Sequence, residues 1–368
     1  MIKNIFIIGS TAHSLINFRY ELIKKLQNNH LVFAVSKDKD INVEKKLKKI
    51  NVKHLNYGSK IKYMEELFSF INLIKILKNI DKKIKVISYT MRANLFVGLA
   101  NLLNSKIEHY PMITGLGGIF LSKDENLYRY FLYKFFFFIL KISFLKSKKI
   151  IFKNKNNKIF FEKILKKKSV VINGSGVDCS LFNNSFFPKK ITFMMISRFI
   201  KYKGIENYIY LAKYIKDRYQ NIDFILVGKK QKNFSLEKKI IDKKKLKKYI
   251  KLVNWQKKTN KLFSKCSVFV LPSKREGMSR SILEAMSSGK PIITTNVPGC
   301  KETVKNNVNG FTVNYDDNIS LCNVAEKFVI KPELIKKFGK NSRKIAVKYF
   351  NVSKINSEIE KIIDSKVY

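Results

Sequence analysis

Two carboxylates, Glu276 and Glu284, stand with seven residues between them in the run REGMSRSILEAMSSGKPIITTNVPGCKETV, which spans Arg275 to Val304. If the second of them lies on a helix and the first in the loop before it, the pair reaches along one elongated ligand. The backbone amides of Gly277, Met278 and Ser279 lie where that helix begins, so they are oriented donors for an anionic group such as a phosphate. A carboxylate deeper in the site can then accept hydrogen bonds from vicinal hydroxyls, as on a ribose. Further back, Arg198 and Lys203 sit five positions apart in RFIKYKG. A guanidinium and an ammonium on one loop can together neutralise a diphosphate, the first by bidentate bonding and the second as a point charge.

The surrounding pattern supplies elements to hold these groups. The apolar run Val268 to Leu271 predicts a buried strand stopped by Pro272. Ser281 to Ser288 predicts a helix with apolar residues at Ile282, Leu283 and Met286, ended by Gly289 and Pro291, after which a further strand begins. Ile191 to Ser197 predicts the strand that runs into Arg198, Tyr208 to Tyr219 the helix after it, and Phe224 to Gly228 the next strand. Strand, loop and helix alternate here as in an open parallel α/β sheet.

The first half repeats that alternation. Ile5 to Ile8 reads as a buried strand, Gly9-Ser10-Thr11-Ala12 as its loop and Ser14 to Leu26 as its helix. Strands are expected at Leu31 to Val35, Val86 to Tyr89, Ile107 to Ile113, Ile150 to Phe152 and Val170 to Ile172, with helices around Tyr63 to Leu77 and Asn154 to Lys166. Arg92 opens another helix and is expected to face the ligand edge. Thr114 and Gly115 begin the segment TGLGG, where small residues let backbone approach a ligand closely. Asp38 and Asp40 form an Asp-x-Asp triplet, which reads as a charged loop after a strand and not as a metal site.

At 368 residues the chain exceeds the size at which one core keeps growing. The expected division is a first domain over 1–185, a second over 189–345 and a terminal helix over 346–368 crossing back to the first. The interdomain linker is placed at Leu181 to Lys190 and the lysine-rich stretch Lys229 to Lys251 is read as a solvated connection. The 74 Lys and Arg against 27 Asp and Glu give a formal charge of +47, which points to polyanionic surroundings. Nucleic acid and anionic membrane both qualify, but the lysines are scattered over many elements and no DNA- or RNA-binding signature appears. The four cysteines form no CxxC pair and point to a reducing compartment without structural zinc. The apolar opening is too short for a secretory signal core, so a cytoplasmic body is expected.

Tyr128 to Leu145, YRYFLYKFFFFILKISFL, is the most apolar stretch, and its uncharged run is well short of the roughly 20 residues a spanning helix needs. Lys134, Lys141 and Lys148 recur every seventh residue and would line one side of a helix, with Phe131, Phe135, Phe138 and Phe144 over the rest. Such a helix suits an anionic lipid surface.

The combination EG-x(6)-E, then AM-x-x-G-x-PII and PG-x-x-E, resembles the nucleotide-sugar half of family 4 retaining glycosyltransferases. Arg198 and Lys203 in R-x(4)-KG resemble that family's diphosphate clamp, and Gly176-Val177-Asp178 the segment before its linker. The resemblance implies an α/β chain of the GT-B fold, two Rossmann-like domains facing each other across a cleft. It implies a metal-independent hexosyltransferase using a nucleotide-sugar, a UDP-hexose or UDP-N-acetylhexosamine, and no cofactor. Arg198, Lys203 and Glu276 would be catalytic, with Glu284, Gly277, Met278, Ser279 and Gly9 binding the donor. Asn17-Phe18-Arg19 and the TGLG segment resemble the branch that extends sugars on polyprenyl-diphosphate carriers, in O-antigen, capsule or lipid-linked oligosaccharide synthesis. Asn17, Arg19, Arg92, Thr114 and Gly115 would then face the lipid-linked acceptor, with the enzyme peripheral on the inner face of the membrane. A sugar-nucleotide epimerase of similar fold and a basic nucleic-acid-binding protein are the alternative readings.

Overall fold

A computed structural model describes residues 3–59, 61, 63–78, 82–115, 127–167, 169–183, 186–228, 243–256 and 258–365. The chain divides into two compact units, Met1–Ser175 with Ile355–Tyr368, and Gly176–Lys354.

The first unit is built on seven strands: β1 Asn4–Ile8, β2 Leu31–Ser36, β3 Lys53–Asn56, β4 Ile84–Tyr89, β5 Ile107–Ile113, β6 Ile150–Phe152 and β7 Ser169–Val171. They lie in the order β3-β2-β1-β4-β5-β6-β7, and every pairing is parallel. The second unit has six: β8 Ile191–Ile196, β9 Ile222–Gly228, β10 Lys251–Asn254, β11 Val268–Leu271, β12 Ile292–Thr295 and β13 Gly310–Val313. Their order is β10-β9-β8-β11-β12-β13, again all parallel. Parallel strands need helical crossovers, which cover both faces, so the inner strands are mostly apolar and buried on both sides, with a few polar residues such as Lys85 and Ser88 enclosed among them. All six residues of β4 and all four of β11 are accordingly buried.

The strand order reverses between β1 and β4 in the first sheet and between β8 and β11 in the second. In open α/β sheets the crevice outside the carboxyl ends of such neighbours is the ligand position. Arg198 and Lys203 follow β8, and Glu276 follows β11.

The unit boundary falls ten residues ahead of the expected one. Val177 and Phe182 pack into the second core, with Phe193, Phe263 and Leu283, so 176–185 belongs there. The return is also later than 346. Helix Glu333–Tyr349 gives Phe338 and Ala346 to the second core, and only from Ile355 does helix Val352–Asp364 join the first. Its Ile355, Ile359 and Ile363 recur every fourth residue and pack with Ile5, Leu22 and Ile87.

Helix Leu127–Ser143 buries Phe137 and Leu140, and Phe144 just beyond it is buried too. Phe144 therefore leaves the exposed set expected for it, because it packs into the cluster of Phe152 and Phe161. Phe131, Phe135 and Phe138 remain 62%, 61% and 62% exposed, and Lys134, Lys141 and Lys148 are exposed as well. Among the described residues no helix is long and apolar enough to cross a membrane.

Candidate active site

β8 ends at Ile196, and the chain passes through exposed Arg198 into a single 3-10 turn, Lys201–Lys203. Gly204 closes that turn at φ +70°, and a Cβ there would stand 1.8 Å from the Pro272 carbonyl oxygen. Only glycine combines that conformation with that approach. Helix Ile205–Lys216 begins directly after it.

The loop after β11 is stitched to this turn. Ser273 Oγ donates to the Tyr202 carbonyl at 3.0 Å, and the Lys274 amide donates to the same oxygen at 2.8 Å. On its other side the loop rests on the segment after β12. The Glu276 amide donates to Pro298 O at 3.2 Å and the Ser279 amide to Gly299 O at 3.1 Å. Gly299, at φ +84°, passes so close that a Cβ would meet the Glu276 carbonyl oxygen at 2.3 Å. Backbone bonds on both sides thus fix where Glu276 stands, and its Oε1 accepts from Lys203 Nζ. Cys300, buried beside this carboxylate, is held up at about 12, first by burial and then by the Glu276 charge, so its thiol is unreactive.

Glu284 lies in helix Arg280–Ser287 and is 7% exposed. Burial raises its pKa, while the Arg280 charge and hydrogen bonds from Arg280 and Thr259 oppose the rise. Arg280 Nε donates to Oε1 at 2.8 Å and Thr259 Oγ1 to Oε2 at 3.3 Å. Neither partner was singled out from the sequence. Arg280 was legible as the residue four positions before Glu284, but Thr259 comes from a distant segment with no such signal.

The Ser279 amide differs from its expected role. It is committed to Gly299, so it is not a donor to a ligand in this conformation. Ser279 is instead the residue that starts the helix, buried, with its hydroxyl 3.3 Å from that of Ser281. Gly277 and Met278 lie in the same loop, between Glu276 and the helix.

In the first unit the expected acceptor residues do not share one environment. Arg19 is 2% exposed: its guanidinium lies 4.8 Å from the centroid of the Tyr89 ring and reaches Met112 Sδ and Ser175 Oγ. It is packed in the interior, because helix Ala12–Gln27 turns that side toward the sheet. Asn17, on the same helix, is exposed. Gly9 has a packing reason to be small, since a Cβ would stand 2.4 Å from the Tyr89 hydroxyl. Arg92 is exposed and lies 3.3 Å from Glu66 Oε1. Thr114 and Gly115 follow β5, and among the described residues nothing lies within 4 Å of where a Gly115 Cβ would project. Leu116 to Gly118, the rest of that glycine segment, lie outside the described residues. The Asp-x-Asp triplet is absorbed locally: Asp38 accepts from the Ala12 amide, and Asp40 caps helix Ile41–Lys48 through the amides of Asn42 and Val43.

Residues 180–345, which contain Arg198, Lys203, Glu276 and Glu284, match the family described as Glycosyl transferases group 1. The chain is 25% identical, over 93% of its length and 94% of the relative's, to the N,N'-diacetylbacillosaminyl-diphospho-undecaprenol alpha-1,3-N-acetylgalactosaminyltransferase of Campylobacter jejuni. The chain is a glycosyltransferase. Half of it is also 32% identical to 46% of the UDP-Gal:alpha-D-GlcNAc-diphosphoundecaprenol alpha-1,3-galactosyltransferase of Escherichia coli. The glycosyltransferase superposes on the Anabaena HepE structure, solved with UDP-glucose, at a TM-score of 0.79 and 16% identity, covering 99% of this chain and 100% of that one. Its fold is GT-B, two Rossmann-like domains. The family match leaves out the first unit, where Gly9, Asn17, Arg19, Arg92, Thr114 and Gly115 lie.

Proposed function

We propose that the enzyme moves a sugar from a nucleotide-sugar, a UDP-hexose or UDP-N-acetylhexosamine, to a saccharide carried on a lipid diphosphate. Transfer retains the anomeric configuration and needs no metal. The observation that carries this reading is the contact of Lys203 with Glu276 at the switch point of the second sheet. It sets a cation for the departing diphosphate beside a carboxylate for the sugar. An ammonium has three donors, so Lys203 can keep Glu276 and still meet a phosphate oxygen. Arg198, exposed on the same loop, adds the second charge. Together they stabilise the charge that builds on the leaving nucleoside diphosphate, the task a metal ion performs elsewhere. Glu284 accepts from the ribose diol: Arg280 and Thr259 occupy one position on each oxygen, and each oxygen has another.

The acceptor class draws on the activities of the Campylobacter and Escherichia relatives, both of which act on diphospho-undecaprenol-linked sugars. It also draws on helix Leu127–Ser143. Phe131, Phe135 and Phe138 are exposed on it, as are Lys134 and Lys141, while exposed Lys148 lies beyond its end at Ser143. That pairing fits an anionic leaflet, where acyl chains cover the rings and headgroups meet the lysines. A peripheral enzyme on the inner membrane face, building a surface glycan, follows. The test is a screen of UDP- and GDP-sugars against a membrane lipid extract with mass analysis. Gain of one sugar residue by a lipid-diphosphate saccharide is expected, and transfer only to soluble sugars contradicts the acceptor class.

A further inference from the structure

His30, in the turn before β2, meets two acids of the terminal helix Val352–Asp364. Glu360 and Asp364 are four positions apart, so both carboxylates project from one side of that helix. The His30 Nε2 stands 3.4 Å from Asp364 Oδ2. One ring nitrogen and one oxygen from each acid all lie within 4.8 Å of one another. The His30 side chain is only 7% exposed; its Nε2 has the Asp364 ion pair but no well-aligned hydrogen bond, and its Nδ1 makes none among the described residues. Buried polar atoms are as a rule hydrogen-bonded, so an imidazole aimed between two carboxylates without such a bond calls for a ligand.

The neighbours sort into groups that would steady this site and one that would leave it. Lys85 Nζ donates to Asp364 Oδ1 at 2.8 Å, which leaves Oδ2 turned toward the imidazole. Asn29 Nδ2 donates to Glu360 Oε1 at 3.3 Å. Outer hydrogen bonds of this sort orient the carboxylates of metal sites. Lys25, 3.1 Å from Glu360 Oε2, is one-third exposed on a flexible stem, and an arriving cation would displace it.

We propose that His30, Glu360 and Asp364 bind a divalent transition-metal ion of the zinc type, with water completing its shell. Imidazole nitrogen with two carboxylates is a donor set suited to such ions. Zinc bonds of about 2.0–2.2 Å require the three atoms to close by roughly an ångström, within the rotamer freedom of Glu360 and Asp364. The ion would pin the returning helix to the turn at His30, and it has no part in the sugar transfer proposed above.

The test uses the full chain without an affinity tag, stripped with EDTA and titrated with zinc chloride by calorimetry, with melting followed in parallel. One zinc per chain and a rise in Tm of a few degrees are expected, since an ion bound only to the folded state stabilises it. Glu360→Gln and Asp364→Asn, on a partly exposed helix face, should each weaken binding at least tenfold, and His30→Ala should abolish the rise in Tm. No binding at micromolar zinc overturns the proposal. So does stoichiometric zinc held with unchanged affinity by Glu360→Gln and Asp364→Asn.

Discussion

Lys203 and Glu276 lie 73 positions apart, yet the ammonium of one closes on the Oε1 of the other, with side chains only 16% and 11% exposed. They meet because β8 and β11 are neighbours in the sheet although β9 and β10 intervene in the chain. A lysine and a glutamate this enclosed depend on each other, since removing one leaves the other charge poorly compensated.

Glu276→Gln, Lys203→Ala and Arg198→Ala should each lower turnover by about a hundred- to a thousandfold, the usual consequence of losing one preorganised electrostatic contact, about 2.7 to 4 kcal/mol. Exposed Arg198 should change the melting temperature least of the three. Steady-state rates beside melting curves check this, and near-normal turnover in all three folded variants contradicts the assignment.

Glu284 carries a pH signature. Burial holds its folded pKa above the unfolded value of 4.5, so the folded state binds the extra proton between the two values. The stability tied to that group is fully present below 4.5 and is lost as pH rises through the folded pKa. Glu284→Gln removes this titration, so its melting temperature should gain on the wild type as pH rises from 4.5 through the folded pKa. The same variant should bind free nucleoside diphosphate more weakly, as calorimetry would read. A wild-type and variant difference that stays flat with pH contradicts the burial argument.

Most of the architecture was legible because buried parallel strands are rich in apolar residues: β6 and β11 coincide with the unbroken runs Ile150–Phe152 and Val268–Leu271, and β5 with the mixed stretch Ile107–Ile113. What escaped was β3, KHLN, and β10, KLVN. Both are edge strands, where one side is unpaired and lysine protects against further pairing, so their sequences read as loops. Glu276, Lys203 and Glu284 could be singled out by type and spacing. The burial of Arg19 could not, because a helix of mixed polarity does not announce that one guanidinium lies over the Tyr89 ring.

Chelation should leave the initial transfer rate unchanged, because the cationic loop supplies the charge and Asp40 is occupied as a helix cap. Asp40→Ala should cost about 1 kcal/mol of stability and little turnover. Loss of rate in EDTA that magnesium or manganese restores contradicts this.

Binding to liposomes should be only partly salt-sensitive. Each lysine near an anionic leaflet contributes about 1 kcal/mol that salt screens, while buried rings persist. Flotation at low and high salt, with Lys134→Glu plus Lys141→Glu as the control, reads this directly. Equal flotation of wild type and double variant on anionic vesicles contradicts the role of the helix.

The most direct measurement is the product itself: a UDP-sugar of known anomeric configuration, a purified polyprenyl-diphosphate-linked saccharide, and the new linkage determined by NMR. A retained anomeric centre on the lipid-linked saccharide, formed by the wild type and about a hundredfold or more slowly by Glu276→Gln, is predicted. An inverted centre, or a soluble sugar glycosylated as fast as the lipid-diphosphate acceptor, would contradict the account.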